Sequence, residues 1–259
     1  KAEMEKYLGC SMDDPRPMKK FEVEDHLGWH EQGDGKWFLG IPISSGRIAD
    51  SDHAAVRSGL RAVILEYGMN LRLTADQNII LSDIEASEKP HIEELLHQNG
   101  IRLSEELSPV DRSMIACVAL PTCGLALAEA ERIRLPLVAE IEKTMQRQGV
   151  LDERISIRIA GCPNGCPRPY VGDIGIVGRI PGFYSIYVGG DFEGTRLNEV
   201  VAERIRLGEV ADVLDPLFAL FAASRRPEEG FGDFCHRVGV ARLREVLAAT
   251  RAEPRAAAD

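Results

Sequence analysis

Four of the six cysteines form two pairs whose spacing could hold a metal centre. Cys117 and Cys123 have five residues between them, and Cys162 and Cys166 have three. Between Cys123 and Cys162 lie 38 residues. Four thiolates supplied by two segments can complete the coordination of a 4Fe-4S cluster or of a single zinc ion, because both accept tetrahedral sulfur ligation.

The spacing within each pair favours an iron-sulfur cluster. Structural zinc sites generally have about two to four residues between paired ligands, so the second pair fits this rule and the first pair is wide. On spacing alone, a zinc site and structural or disulfide-bonded cysteines remain open alternatives. Cys10 and Cys235 have no partner at ligand spacing, and we interpret them as ordinary thiols.

The second pair lies in a segment that is suited to a rigid loop. Residues 161–170 read GCPNGCPRPY and contain two glycines and three prolines. This composition disfavours the interior of a helix or strand, because proline removes backbone donors and glycine permits conformations that other residues avoid. Before the loop, isoleucines alternate with Ser156 and Arg158, which predicts a half-buried strand that ends at the loop.

The elements that must position these cysteines follow from periodicity. Helix formers fill residues 125–134, Pro136 marks a break, and a second helix is expected to continue toward Gln148. Residues 174–177 and 183–188 are expected to form paired strands on the far side of the second cysteine pair.

The last third of the chain is predicted to be helical. Residues 230–234 are expected to form a turn before the final helix, and residues 252–259 are expected to be disordered. A stripe of apolar residues at helical spacing predicts a buried face. Its members are Val210, Val213, Leu214, Leu217, Phe218 and Phe221.

The region before the cysteines predicts a separate unit. Residues 1–25 are interpreted as a linker, and Asp50, Ser51 and Asp52 are candidate caps for the first helix. The elements expected in chain order are a strand over residues 37–43, a helix containing Val56, Leu60, Val63, Ile64 and Tyr67, strands over residues 71–74 and 78–81, and a helix over residues 88–98. This order predicts an α+β fold with helix-backed, mainly antiparallel sheets in two subdomains.

Composition excludes several classes of protein. The formal net charge of −10 argues against a general nucleic-acid surface, which needs clustered positive charge. No arginine or lysine cluster stands out as a site for a small anion. No apolar run approaches the roughly 20 residues of a membrane span, and the first residues lack the apolar core of a signal peptide. We therefore expect a cytoplasmic location and reduced thiols.

Four segments together resemble the siroheme-dependent sulfite and nitrite reductase family. They are residues 122–131, residues 161–166 with the following Arg168-Pro169-Tyr170, residues 230–234, and residues 71–78. The likeness spans nearly the whole chain. Its most specific part is the doubled cysteine motif, and the other segments support it.

The resemblance implies two cofactors and a role for each cysteine. Cys117, Cys123, Cys162 and Cys166 would ligate a 4Fe-4S cluster, and the Cys166 sulfur would also bridge to the iron of siroheme. A shared thiolate would couple the two centres electronically, and nearby backbone amides and burial would tune their potential.

Other residues in these segments have two interpretations each. Asn164 would either donate to a cluster sulfur or occupy a tight turn, since asparagine tolerates such conformations. Arg168 would either contact a siroheme carboxylate or stiffen the loop. Arg72 and Gln77 are interpreted as structural, because their segment resembles the second copy of a repeat whose first copy lines the family's active site.

The resemblance also implies a domain division. Residues 1–25 would be the linker, residues 26–108 a ferredoxin-like nitrite/sulfite reductase repeat domain, and residues 109–259 a 4Fe-4S and siroheme-binding domain. These match the C-terminal half of longer family members. The cations that bind sulfite are expected in the missing N-terminal half, so we expect this chain alone to be incomplete and inactive.

The implied activity is that of an assimilatory sulfite reductase, the six-electron reduction of sulfite to sulfide. The electron donor would be a flavoprotein that uses NADPH, or a ferredoxin. A ferredoxin-type nitrite reductase, which takes nitrite to ammonia, is the nearest alternative. A zinc-stabilised, non-catalytic binding module is the alternative from another class.

Overall fold

The computed structural model describes residues 1–14, 16 and 24–252 of the chain. Its helices are α1 (Ala2–Leu8), α2 (Val56–Tyr67), α3 (Lys89–Gln98), α4 (Pro109–Ser113), α5 (Arg134–Arg147), α6 (Val210–Ser224), α7 (Phe231–Val238) and α8 (Val240–Ala252). Its strands are β1 (Gly28–Glu31), β2 (Trp37–Ile41), β3 (Asn70–Leu73), β4 (Ile79–Ile84), β5 (Ile115–Ala116), β6 (Ile157–Ala160), β7 (Ile174–Ile180), β8 (Phe183–Val188) and β9 (Glu199–Arg206).

The first sheet is antiparallel throughout and has the strand order β1-β2-β4-β3. Helices α2 and α3 share one apolar core with its strands. The buried members of this core include Leu39, Ile41, Leu60, Val63, Ile79, Leu81, Ile92 and Leu96. The predicted strands and helices of this region are present, and β1 is an additional strand that periodicity did not reveal.

The start of α2 differs from the expected cap. Ala55 occupies the cap position, and its side chain makes no capping hydrogen bond. The carboxylate of Asp50 instead accepts a hydrogen bond from the Ser58 backbone N–H, at 2.9 Å, across the intervening loop. Asp50 therefore satisfies a free donor of the first turn without being the residue next to the helix.

The second sheet is mixed and has the strand order β5-β6-β7-β8-β9. Strand β6 pairs in parallel with β5 and β7, and the remaining pairs are antiparallel. The apolar stripe predicted for α6 is confirmed, since all six of its members are buried. Aromatic rings of α6 and α7 pack with centroids 5.2 to 5.4 Å apart, and the rings belong to Phe218, Phe221, Phe231 and Phe234.

Three expectations for this second region are wrong. Residues 125–130 are irregular, because the backbone N–H groups of Leu127 and Ala128 donate to the Gly161 carbonyl, at 2.8 and 3.0 Å. Pro136 does not break a helix but lies in the first turn of α5, where proline is tolerated. Helix α7 already begins at Phe231, within the predicted turn.

The strand before the second cysteine pair is buried on both faces, which also corrects the prediction. All four residues of β6 are buried, including Arg158, because β6 lies between two parallel neighbours. Parallel sheets are generally covered on both sides, so alternation of side chains along β6 does not separate a solvent face from a core face.

No helix among residues 1–14, 16 and 24–252 is long and apolar enough to cross a membrane. The cytoplasmic location stays a prediction from the sequence. Helix α1 lies within the predicted linker and buries none of its residues. The predicted disordered tail falls almost entirely outside the described residues, and the domain boundaries at 25/26 and 108/109 also remain predictions.

Candidate metal centre

Two parallel strands bring the two cysteine pairs to one edge of the second sheet. Cys117 directly follows β5, and Cys162 follows β6 after Gly161. The Cys117 backbone N–H donates to the Ile159 carbonyl at 3.1 Å, which continues the pairing of the strands. Since parallel strands present their carboxyl ends at the same edge, the loops that carry the two pairs must lie side by side.

All six site residues singled out from the sequence line one cavity of about 270 Å³ at this edge. We call it the thiol cavity. Three of its cysteines are partly buried and Cys166 is exposed, and all four are free thiols. The six residues are Cys117, Cys123, Cys162, Asn164, Cys166 and Arg168.

Two sulfur atoms already accept hydrogen bonds from the chain. The Gly161 backbone N–H donates to Cys117 Sγ at 3.2 Å, and the Asn164 side-chain amide donates to Cys166 Sγ at 3.3 Å. Donors of this kind stabilise negative charge on a sulfur ligand and tune the potential of an iron-sulfur centre. Asn164 lies in a turn and donates to the Cys166 sulfur, and its role toward a cluster stays a prediction.

The electrostatic environment of Cys117 reflects the crowding of the thiols. Burial raises the pKa of the Cys117 thiol, and the backbone N–H groups of Gly161 and Ala119 act in the opposite direction. The nearby Cys166 and Cys162 raise this pKa further, because neighbouring thiolates repel each other. Such a group of thiols favours a cationic centre that neutralises their combined negative charge.

Close approach of the two loops depends on Gly161. A Cβ atom at this position would lie 2.6 Å from the Ala128 carbonyl oxygen and 2.7 Å from Ala119 Cβ, which is closer than real contacts allow. The absence of a side chain lets the Gly161 carbonyl accept from the segment that follows Cys123. Gly161 thus joins the two loops at the base of the thiol cavity.

The donor set fits an iron-sulfur cluster better than a single ion. Among the described residues, no three histidine, cysteine, aspartate or glutamate side chains converge closely enough to hold one metal ion. Thiolates around one zinc ion must all lie about 2.3 Å from it, whereas a cluster of several iron atoms lies between more widely spaced sulfurs. Four soft sulfur ligands suit either centre, and the lack of a three-ligand group among the described residues favours the second.

The first sheet braces the first cysteine pair from outside. The Gln77 side-chain amide donates to the Ala116 carbonyl at 2.7 Å, and its oxygen accepts from the Ala116 N–H at 3.2 Å. Asp76 lies 3.6 Å from Arg168 in the other loop. Arg72 bonds to Ser82 within its own sheet. Gln77 therefore has a structural role, one residue away from a predicted ligand.

Sequence reasoning missed a group of arginines beside the thiols. A cavity of about 220 Å³, which we call the arginine cavity, adjoins the thiol cavity, and Arg168 lines both. The expectation that no cationic cluster stands out is wrong for the arginines, because four of them converge here from distant parts of the chain, together with three carboxylates, those of Asp25, Asp76 and Glu193. The lining arginines are Arg112, Arg154, Arg158 and Arg168. The only sequence signal was an arginine within an apolar strand.

Comparison with known sequences identifies two domains in this chain. Residues 30–99 match the nitrite/sulfite reductase ferredoxin-like half domain, and residues 110–254 match the nitrite and sulphite reductase 4Fe-4S domain. A sulfite reductase [ferredoxin] of Synechococcus elongatus is 41% identical over 95% of this chain and 39% of its own length. A sulfite reductase [NADPH] hemoprotein beta-component of Methylorubrum populi is 43% identical over 92% of this chain and 39% of its own length. The chain thus spans about two fifths of these relatives.

Solved structures confirm the α+β fold. The NirA protein of Mycobacterium tuberculosis aligns with a TM-score of 0.72 at 23% identity, over 92% of this chain and 45% of that chain. Dissimilatory sulfite reductase I (DsrI) aligns with a TM-score of 0.61 at 14% identity, over 86% of this chain and 71% of that chain. At these identities the likeness concerns the fold alone.

Proposed function

The chain belongs to the nitrite and sulfite reductase family, and from that membership we propose that it is the cluster-bearing part of an assimilatory sulfite reductase. Members of this family carry a 4Fe-4S cluster and siroheme. The observation that carries the proposal is the convergence of four cysteines, from two distant segments, on one cavity at the edge of the second sheet.

We assign the four thiolates of Cys117, Cys123, Cys162 and Cys166 to the cluster. When bound, the cluster and siroheme would supply the electron transfer and the six-electron reduction of sulfite to sulfide. The chain's own contribution is to hold the sulfurs at fixed positions and to stabilise their charge. The Gly161 N–H supplies one such contact.

Cys166 is the proposed bridge to siroheme. It is the only exposed thiol of the four, so its sulfur is accessible to a second group outside the cluster. The Asn164 amide already donates to this sulfur, which would favour the thiolate and fix its orientation. The other three thiols are partly buried, so their sulfurs are less accessible to a second group.

Substrate and partners are inferred from the relatives. Relatives named as sulfite reductases match most of the chain, which favours sulfite over nitrite as the substrate. One relative is named for ferredoxin and the other for NADPH, and their identities of 41% and 43% are too similar to choose between a ferredoxin and an NADPH-dependent flavoprotein as donor. We place the sulfite-binding cations in an N-terminal half that the chain does not contain.

Anaerobic reconstitution with iron and sulfide tests the proposal. The chain should bind about four iron atoms and develop the broad visible absorption of a 4Fe-4S cluster. Cys10→Ser is the matched control, because Cys10 is exposed and lies outside the thiol cavity, and it should retain the cluster. Stoichiometric zinc with no iron would instead support the zinc-stabilised binding module.

A further inference from the structure

In the arginine cavity, the guanidinium of Arg158 is buried without an anion bonded to its Nε, which is energetically unfavourable. Arg158 is only 8% exposed, and its Nε has no hydrogen-bond partner. Its Nη1 donates to the Pro167 carbonyl at 3.3 Å, near the upper limit of hydrogen-bond length. Buried charges in proteins are generally paired and hydrogen-bonded, so a buried guanidinium with a free donor indicates a ligand that completes it.

The surrounding charges do not supply that partner. Asp76 and Asp173 attract Arg158 through space without bonding to its Nε, while Arg168 repels it. Two of the nearby carboxylates are engaged elsewhere: Asp25 accepts from Arg112 through its Oδ1 at 2.8 Å, and Asp173 accepts from the Ser156 and Gly232 backbone N–H groups. Glu193 also lines the cavity, but it does not bond to the Arg158 Nε. Burial and the neighbouring Arg168 lower the pKa of Arg158, and the carboxylates of Asp76 and Asp173 offset this only in part.

The position of the cavity restricts what the anion can belong to. Ala75, Ile115 and Arg168 line both the arginine cavity and the thiol cavity, so the two are continuous neighbours. On the thiol side, the apolar side chains of Val118 and Leu125 line the cavity and are 40% and 72% exposed. An apolar surface beside a buried cation suits a ligand that is apolar in its body and carboxylated at its edge.

We propose that Arg158 anchors an anion site that binds a carboxylate of the tetrapyrrole held beside the thiol cavity, with Arg168 at the shared wall. This inference rests on the proposed function, because it assumes that a siroheme lies next to Cys166. The guanidinium of Arg158 would donate through Nε, and a charge-assisted bond in a buried site is stronger than a neutral one. Arg158 would supply this contact from its position on β6.

Uroporphyrin is the probe that tests this site. It is an iron-free tetrapyrrole with carboxylates on every ring, so Cys166 cannot ligate it through iron. Fluorescence titration of the cluster-reconstituted chain should show that Arg158→Gln weakens uroporphyrin binding about tenfold, whereas Arg158→Lys, which retains the charge, weakens it about threefold. Arg61→Gln is the matched control at an exposed position, and its affinity should equal that of the unmodified chain.

Three results would contradict the proposed anion site. The affinity for uroporphyrin could be unchanged in Arg158→Gln, it could fall equally in Arg61→Gln, or the unmodified chain could fail to bind uroporphyrin. Iron content measured in parallel distinguishes the two proposals: a chain that assembles its cluster but binds uroporphyrin regardless of Arg158 contradicts only the anion site. A chain without a cluster contradicts the proposed function.

NMR of the unmodified chain tests the site even if the Arg158→Gln variant fails to fold. In the unmodified chain, labelled with ¹⁵N at arginine, the Arg158 Nε–H resonance should shift and exchange more slowly when uroporphyrin is added. Arg158→Lys assigns this resonance by its absence. A resonance that neither shifts nor gains protection would show that the free donor of Arg158 does not meet a carboxylate.

Discussion

The two cysteine loops reach the same cavity but are held in different ways. The second loop, residues 161–170, braces itself: the Tyr170 hydroxyl donates to the Pro163 carbonyl at 2.9 Å, and the Arg168 N–H donates to the Gly165 carbonyl at 2.8 Å. The first loop, residues 117–126, has its own internal bond from the Cys123 N–H to the Ala119 carbonyl, at 2.7 Å, and its flanks are anchored from outside by the Gln77 side chain and by the Gly161 carbonyl. Both loops thus combine internal and tertiary bonds, but they are tied to the first sheet differently: two hydrogen bonds of Gln77 stand beside the first loop, and an ion pair of 3.6 Å joins Asp76 to Arg168 of the second.

From this difference we expect each loop to affect a different cofactor. A self-braced loop can present an exposed sulfur, Cys166, without losing its shape. Both sulfurs of the first loop are partly buried, and the Gln77 contact at Ala116 would transmit to them a change in the packing of the first sheet. We expect the second loop to control siroheme and the first loop to control how firmly the cluster is held.

The largest expected effect separates the two loops by cofactor. Cys166→Ser should lose siroheme more severely than Cys117→Ser, because only Cys166 is proposed to be shared between the cofactors. The measurement is siroheme and iron per chain after reconstitution of both variants. Equal loss of siroheme and of iron in the two variants would remove the distinction between the loops.

Gln77→Ala should have the next largest effect and should act through the first loop. It leaves the Ala116 N–H and carbonyl without their side-chain partner, which should lower the free energy of unfolding by about 1–3 kcal/mol. Denaturant unfolding of the apo chain gives this value, and the rate of iron loss to a chelator should rise. Gln98→Ala on the exposed side of α3 is the control. A chelation rate unchanged from that control would show that the brace does not reach Cys117.

Tyr170→Phe should have a smaller effect, confined to the second loop. It removes one bond at a half-buried hydroxyl, and the carbonyl that loses it, Pro163, is exposed to water. The expected decrease in the free energy of unfolding is about 0.5–1.5 kcal/mol, with iron retention unchanged. A larger loss of stability than in Gln77→Ala would reverse the proposed order of the two loops.

The smallest effect concerns the ion pair between Asp25 and Arg112, which ties the segment before β1 to α4, just before the first loop. Burial raises the pKa of Asp25, but the Arg112 hydrogen bond and the Leu27 N–H outweigh it, so the pKa lies below its ordinary value of 3.8. The stabilisation is therefore complete above that value and is lost as the pH falls through the lower folded pKa.

Unfolding of the unmodified chain and of Asp25→Asn between pH 7 and pH 3 measures this contribution. The chain with Asp25 should be more stable at pH 7, and the difference should shrink toward acid pH. Because both partners are partly exposed, the difference should be small. A difference that grows toward acid pH would contradict the sign of the pKa shift.

The thiol cavity was predictable from the sequence because its chemistry is local. Each pair of cysteines is separated by only a few residues, and the prolines and glycines around Cys162 mark a loop directly. The major apolar segments of both sheets also carry their own periodicity, so their existence followed from the residues. Edge strands such as β1 and β9 are short or largely exposed and give a weak signal.

The errors have a common physical cause, which is tertiary contact. Residues 125–130 have good helix propensity, but their backbone donors bond to Gly161, which no local rule predicts. Arg158 appeared as the polar face of a half-buried strand, and only the placement of β6 between two strands buries it. The arginine cavity gathers residues from Arg112 to Arg168, so its convergence is a property of the folded chain.

Parallel pairing of β5 and β6 also determines when, during synthesis of the chain, the four cysteines can come together. Cys123 emerges from the ribosome 39 residues before Cys162, and β5 cannot pair until β6 has been synthesised. At translation rates of about 5–20 residues per second, the first two thiols wait about 2–8 s for their partners. A centre held by all four thiols could therefore form only after Cys166 has been synthesised, once β5 has paired with β6.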